Sequence, residues 1–322
     1  MSGGRLPTSR KLGRRPPKNA PSLRFARFWT GAIPEHSPSI DHFSRITGWG
    51  LWRNDEFGDC GPVSYGNLRK LISLYLTGVE EDVTQDDVFA LYKLVNPDFD
   101  PNDPGGPGDA GVDMQTMLEK ALEHGFAGKK PLAFARVDHT NLDELRAAVD
   151  IFGGVLLGVD LETAQQDQTD AGLWDYKRSG EWGGHAVMCG RYVDEPQDSE
   201  DRSGVVTWGE AVDFTDAFAK HQLDEVWLVI FEEHFGSKGF KEGVDQQALA
   251  RDFESLTGRS FPVQPGPQPS PTPIPPGPAP VPVGPADQSL AVTAHKWLQH
   301  RHVGENAVLA KELRAWLAAK QL

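Results

Sequence analysis

The spacing of apolar residues changes from a helical to a strand pattern near the middle of the chain. Between residues 60 and 152 the apolar positions recur at intervals of three and four, which is the repeat of one helix face. Four helices are predicted there, with these apolar faces: Tyr65, Leu68, Leu71, Ile72 and Tyr75; Val88, Leu91 and Val95; Met114, Met117, Leu118, Ala121 and Leu122; Leu142, Leu145 and Val149. Thr84 and Asn141 are predicted N-caps, and Gly125 is predicted to end the third helix.

Runs rich in β-branched and aromatic residues follow these helices. They are GVLLGVDL at 154–161, HAVMCGRYV at 185–193, GVVTW at 204–208 and EVWLVIF at 225–231, and each is typical of a strand. Helices first and a sheet second predict an α+β fold with two packed halves.

The flanking segments lack this pattern, and they set the predicted domain boundaries. Residues 1–39 form a basic, proline-containing arm, which is either an extended tail or a segment folded back on the body. A main domain is predicted over 40–261, with its core at about 50–232 and a trailing helix. Half of residues 262–285 are proline, which predicts a semi-rigid linker. Residues 286–322 predict two short helices that are too small to fold alone. They are expected to bind a protein partner, to self-associate or to dock on the main domain.

Composition excludes several function classes. The chain has a net charge of −14, although residues 1–28 hold eight Lys/Arg and no Asp/Glu. An acidic body disfavours nucleic-acid binding, since phosphate contacts need positive potential. No transmembrane run or signal peptide is predicted, and two cysteines suggest a reducing compartment. We therefore expect a cytoplasmic or virion-associated protein.

No cofactor and no metal site are predicted. The acidic loop at 98–109 resembles a calcium loop, but Asp103 stands where such a loop needs glycine. An ordinary rigid loop is the preferred interpretation.

One cysteine stands at the predicted start of the first helix, in RNDEFGDCGPVSYGNL at 53–68. A cysteine nucleophile reacts as the thiolate, and a helix N-terminus lowers the thiol pKa. Pro62 fits the first turn, where its missing N–H is not needed. Cys60 is thus a candidate nucleophile, and the alternative is a buried structural cysteine.

A partner histidine is offered by EWGGHAVMCGRYV, where His185 opens an apolar strand. The preceding Gly183 and Gly184 allow a backbone or substrate to come close. Cys189 is interpreted as an inert core thiol. An acyl-transfer site also needs oxyanion donors, and the Cys60 N–H and the side chain of Asn54 are candidates; Asn54 alone is equally typical of a turn.

Together these pieces resemble the papain-like cysteine peptidase superfamily. The resemblance rests on Asn54, where the family has Gln, and on Cys60, LRAAVDIFGGVLLGV at 145–159, GHAV at 184–187 and VTWG at 206–209. It implies a papain-like fold with Cys60 as nucleophile, His185 as base, and Trp208 packed near the histidine. KLGRRP, NDxxGDC, GGHAV and TWG also resemble a group of uncharacterised actinobacterial and actinophage proteins.

The chain departs from the family pattern at the residue that orients the histidine. Val206 aligns with the family's Asn and cannot accept a proton from imidazole. Thr207 would replace it only with the strand shifted by one residue, which turns Thr207 to the other face. A backbone carbonyl or another carboxylate remains open as the orienting group.

The predicted function is a thiol hydrolase that cleaves an amide bond by Cys–His acyl transfer. Its expected substrate is a peptide, with a peptidoglycan amidase or endopeptidase as a further alternative. The rival from another class is an inactive papain-like scaffold, for instance in a phage particle, which Val206 favours.

Overall fold

A computed structural model describes residues 10–18, 20–194 and 201–262. Within these ranges no helix has both the length and the apolar character needed to cross a membrane. Nearly all of the proline-rich linker and both helices expected at 286–322 lie outside the described residues. Their roles as spacer and partner-binding element stay predictions.

The described part of the chain contains eight α-helices. They are α1 Cys60–Thr77, α2 Gln85–Val95, α3 Met114–His124, α4 Leu142–Phe152, α5 Ala164–Ala171, α6 Asp216–Gln222, α7 Lys238–Gly243 and α8 Gln246–Thr257. The four helices predicted from apolar spacing are confirmed. Thr84 caps α2 in a reciprocal capping box with Asp87, Asn141 caps α4, and Gly125 follows the end of α3.

Eight strands form one sheet in the same ranges. They are β1 Ser39–Asp41, β2 Ala133–Val137, β3 Val155–Glu162, β4 Leu173–Trp174, β5 Glu181–Val193, β6 Arg202–Thr207, β7 Glu210–Thr215 and β8 Leu223–Ile230. Their order is β2-β8-β3-β5-β6-β7-β4, with β1 on β5. The pairs are antiparallel except β4 with β7. The α+β class is confirmed. Four strands were not predicted: β1, β2, β4 and β7, which have two to six residues and lack a run rich in β-branched residues.

The sheet separates two apolar cores. Neighbouring residues of β3 show the division, since Leu156 packs with the α1–α3 side and Leu157 with the α4 side. This is the period of two expected for a strand buried on both faces. The helix that begins at Cys60 therefore lies on one face of the strand that carries His185, and the two meet at one end of the sheet.

The second half of the N-terminal arm belongs to the α4 core. Phe25 and Phe28 are fully buried beside Phe152, and the Phe25 and Phe152 rings meet edge to face at 5.1 Å. Arg24 also forms a bridge with Arg136 of β2. The predicted boundary at residue 40 thus falls later than the first core residues of the domain.

Candidate active site

Cys60 occupies the first position of α1, directly after Asp59. The loop before Cys60 is fixed by Asp109, whose carboxylate accepts a hydrogen bond from Gly58 N at 2.8 Å. Asp109 also accepts from Tyr92 Oη at 2.8 Å and from Gly105 N at 2.9 Å. Sequence reasoning missed this role, since residues 98–109 were considered as a calcium loop or an ordinary rigid loop and not as a support for Cys60.

The Cys60 sulfur lies against the strand that carries the histidine. Ala186 N donates to Cys60 Sγ at 3.4 Å. Burial raises the pKa of Cys60 to about 12, although the N–H groups of Ala186 and Gly13 act in the opposite direction. The lowered thiol pKa expected from the helix start is therefore not found in this conformation, because desolvation outweighs it.

His185 is fixed on two sides. Its Nε2 lies 2.8 Å from Thr207 Oγ1, and its ring stacks on Trp208 with centroids 4.3 Å apart and planes 12° from parallel. Nδ1 is buried and has no hydrogen-bond partner among the residues that are described. Burial lowers the pKa of His185 to about 3, and the charge of Arg14 acts in the same direction. The imidazole is therefore neutral here.

The position that contacts the imidazole is Thr207, without the register shift expected from the sequence. Val206 pairs with Met188 and packs on the α1 side of the sheet. Thr207 is then opposite Val187, on the same face as His185 and diagonal to it. The expectation that Thr207 would need a shifted strand was wrong, because the alternation of β6 turns Val206 to the α1 side and Thr207 to the ring.

Asn54 is buried and turned inward. Its Nδ2 donates to Asp59 Oδ1 at 3.0 Å and to Phe57 O at 3.2 Å. Both amide hydrogens are therefore used within the loop, as in the turn interpretation of this residue. The expected oxyanion role of Asn54 does not fit this conformation, whereas Cys60 N–H keeps its place at the helix start.

Residues 10–18 of the arm cross the cleft above the cysteine and histidine. On the helical side, Gly13 O accepts from Val112 N at 2.7 Å and Arg15 N donates to Val112 O at 2.8 Å. On the sheet side, Arg14 N donates to Gly184 O at 3.1 Å. Of the two roles considered for the arm, folding back on the body is the one observed for these residues.

The arm fits a slot lined by glycine. A Cβ added to Gly13 would overlap the carbonyl oxygen of Gly58, and one added to Gly184 would overlap the carbonyl oxygen of Arg14. The prediction that glycine before His185 admits a close backbone is confirmed at Gly184. The backbone that approaches is the chain's own N-terminal arm.

The far end of this segment is anchored next to the histidine. Trp208 Nε1 donates to Lys11 O at 3.2 Å, and Arg10 Nη1 donates to Gln166 O at 2.9 Å. Trp208 therefore contacts both His185 and the arm, as well as Trp182, on which it stacks. Its expected packing beside the histidine is observed.

Comparison with solved structures identifies the fold. Xylellain, a cysteine protease from Xylella fastidiosa, aligns with a TM-score of 0.53 and 13% sequence identity, over 72% of this chain and 99% of that one. The chain has a papain-like fold. At 13% identity the likeness establishes the fold alone.

Two further alignments have TM-scores below 0.5. Procathepsin L 3 of Tenebrio molitor larval midgut aligns at 0.49 with 12% identity, over 69% of this chain and 76% of that one. Procathepsin B S9 from Trypanosoma congolense aligns at 0.48 with 12% identity, over 70% and 86%. No protein-family model and no curated protein matches the chain.

Proposed function

We propose that this protein is a cysteine peptidase held in a latent conformation by its N-terminal arm. The observation that supports it most directly is the arrangement of His185. Thr207 and Trp208 fix its ring, its Nδ1 is left unpaired, and the adjacent Ala186 N–H contacts the thiol of Cys60. A fixed imidazole with a free Nδ1, one residue from the N–H that contacts the thiol, supports His185 as the base for Cys60 once the arm has left.

The reaction follows from these contacts. Once a peptide occupies the cleft, Cys60 Sγ attacks the carbonyl carbon, and His185 takes the thiol proton and gives it to the leaving amine. Water then hydrolyses the thioester, with His185 as the base. Cys60 N–H, at the positive end of α1, stabilises the oxyanion.

Thr207 has a positioning role in this scheme. A hydrogen bond from Nε2–H to Thr207 Oγ1 leaves Nδ1 without a proton, which is the tautomer that accepts one from the thiol. The hydroxyl takes the orienting role for which the family has an Asn and this chain has Val206 by alignment.

Latency follows from burial of the pair under the arm. Burial raises the thiol pKa and lowers the imidazole pKa, so both groups are neutral in the described conformation. Departure of residues 10–18 would hydrate both groups and remove the charge of Arg14. The two pKa values then move toward each other, which favours the reactive thiolate and imidazolium.

Displacing the arm in the full chain tests the proposal. Gly13→Ala cannot occupy the slot, because its Cβ would overlap Gly58 O. Gly48→Ala is the matched control, since Gly48 is exposed and has open space for a Cβ. The iodoacetamide reaction of Cys60 at pH 6 is measured by mass spectrometry, with Cys189 as the internal reference. We expect Cys60 to react about ten-fold faster or more in Gly13→Ala than in the control, and Cys189 to stay slow.

Hydrolysis of peptides is measured with the same variants. Gly13→Ala should cleave a mixed peptide library, and adding Cys60→Ala should abolish cleavage. Slow labelling of Cys60 with the pH dependence of an ordinary thiol, together with no cleavage, would support the inactive scaffold instead. The inward-turned amide of Asn54, which withholds one oxyanion donor, is the observation that favours that second candidate.

A further inference from the structure

The side chain of Arg14 enters an acidic pocket beside the proposed catalytic pair. Its Nη1 lies 2.9 Å from Asp224 Oδ2 and 3.1 Å from Glu225 Oε1, and its Nη2 pairs with Asp160. Only 1% of the Arg14 side chain is exposed. Three carboxylates thus surround one guanidinium.

The floor of the pocket is formed where β3 and β8 pair. Gly158 is in register with Glu225, and a Cβ at Gly158 would come within 2.8 Å of both Glu225 Oε1 and Arg14 Cδ. The absence of a side chain at residue 158 therefore creates the room that the arginine stem fills. Any larger residue there would close the pocket.

Glu225 is the carboxylate at the bottom of the pocket, and it is fully buried. Its Oε2 accepts from Trp227 Nε1 at 2.6 Å, while its Oε1 faces Arg14. A buried carboxylate that loses its cation is strongly destabilised, because it is neither paired nor hydrated. When the arm leaves, Glu225 stays in place behind an open pocket and lacks the cation that faced it.

The pocket adjoins the proposed reaction centre. Arg14 N donates to the carbonyl oxygen of Gly184, the residue before His185, and the preceding Gly13 lies over Cys60. A peptide that replaces the arm along the same slot presents one of its side chains at this place.

We propose that the pocket of Asp160, Asp224 and Glu225 selects a basic side chain of the bound peptide, with arginine preferred to lysine. The inference rests on the proposed peptidase function for its substrate. Arginine is preferred because its planar fork presents two nitrogens, one to Asp224 and Glu225 and the other to Asp160, whereas an ammonium offers a single point of charge.

Peptide binding tests the pocket without relying on catalysis. The full chain carrying Gly13→Ala and Cys60→Ala is titrated with a labelled peptide of residues 10–18, RKLGRRPPK. Citrulline, which keeps the shape of arginine without its charge, replaces residue 14 or, as the matched control, the exposed residue 15. We expect citrulline at 14 to weaken binding about ten-fold or more and lysine to fall between, while citrulline at 15 changes it less than about two-fold. Equal affinities for the peptides with arginine and with citrulline at residue 14 would contradict selection of a basic side chain by the pocket.

Cleavage gives the second measurement. With Gly13→Ala, kcat/KM is compared for peptides that carry arginine or citrulline at each position around the scissile bond. Glu225→Gln should lower the arginine-to-citrulline ratio about ten-fold, whereas Glu181→Gln, an exposed carboxyl on β5, should leave that ratio unchanged.

The two measurements separate the two proposals. Cleavage with no preference for arginine would support the peptidase function and contradict selection of a basic side chain. Binding that depends on the charge at residue 14, without cleavage of any peptide, would support that selection and contradict the peptidase function.

Discussion

Thr207 and Val206 are neighbours in β6, and the difference between their side chains decides how His185 is held. Val206 packs on the α1 side of the sheet, whereas Thr207 Oγ1 lies 2.8 Å from His185 Nε2. A hydroxyl can both accept from and donate to an imidazole. Thr207 can therefore fix the ring of His185 without the Asn side chain that the family pattern has at this point.

Replacing Thr207 tests that role at a single residue. In the Gly13→Ala background, Thr207→Val should lower kcat on the order of 10- to 100-fold, because the ring loses the bond that fixes its tautomer. Thr207→Ser keeps the hydroxyl and should restore most of the activity. The pH profile of Cys60 alkylation should also shift in Thr207→Val, and an unchanged profile would assign the residue a packing role only.

Asp109 supports the loop that carries Cys60, and it offers a second prediction at this scale. Asp109→Ala leaves Gly58 N, Gly105 N and Tyr92 Oη without their acceptor. Gly58 and Tyr92 are buried, whereas Gly105 is exposed and its N–H can turn to water. A buried donor left unpaired costs about 1–3 kcal/mol, so the free energy of unfolding in urea should fall by roughly 3 kcal/mol.

The exposed Asp98 in the same loop is the control for this change. Asp98→Ala should alter the free energy of unfolding by less than about 0.5 kcal/mol. Similar losses in the two variants would mean that Asp109 contributes through its charge rather than through its hydrogen bonds.

At the scale of elements, the N-terminal arm has two structural roles. Its second half completes the α4 core with Phe25 and Phe28. Its residues 10–18 contain no helix or strand and span the cleft by backbone hydrogen bonds and by the ion pairs of Arg14. Because the second half is anchored in the core, residues 10–18 would stay close to the cleft after their release.

Removing the Arg14 side chain should loosen this cover. Breaking a buried ion pair on one side costs about 3–5 kcal/mol, so Arg14→Ala should raise the Cys60 alkylation rate at pH 7 about ten-fold or more over Arg15→Ala. Arg15 is exposed and loses the same charge, which makes it the matched control. Equal rates in the two variants would show that the backbone contacts alone hold the arm.

At the scale of the whole molecule, closure of the arm is coupled to proton binding. In the closed form burial lowers the pKa of His185 to about 3, whereas a hydrated imidazole titrates near 6.5. The open form thus binds more protons between these values, and stability of the closed form present above pH 6.5 is lost progressively as the pH falls toward 3. Burial raises the pKa of Glu225, so its protonation on acidification weakens its pairing with Arg14 and acts in the same direction.

Acidification should therefore release the arm. The ratio of Cys60 alkylation in the native chain to that in Gly13→Ala measures the open fraction, because the intrinsic pH dependence of the thiol is common to both. Between pH 7.5 and 4.5 this ratio should rise, by up to about ten-fold per pH unit for one titrating group. A ratio that stays constant or falls on acidification would contradict the coupling.

The sequence by itself determined about half of the elements and singled out Cys60 and His185 as candidates. Helices α1–α4 and strands β3, β5, β6 and β8 could be predicted because apolar spacing and caps are local properties of the chain. Cys60 at a helix start and His185 after two glycines could be singled out for the same reason.

The tertiary structure decided everything that depends on residues distant in the chain. Strand register turned Thr207 rather than Val206 toward the imidazole, the loop contacts used the amide of Asn54, and burial reversed the expected direction of the Cys60 pKa. Arg14 and Glu225 are 211 residues apart, and no local pattern marks either as a partner. Their pairing, and the closed cleft that results, exist only because folding brings both charges to one place, where their attraction offsets the cost of desolvation.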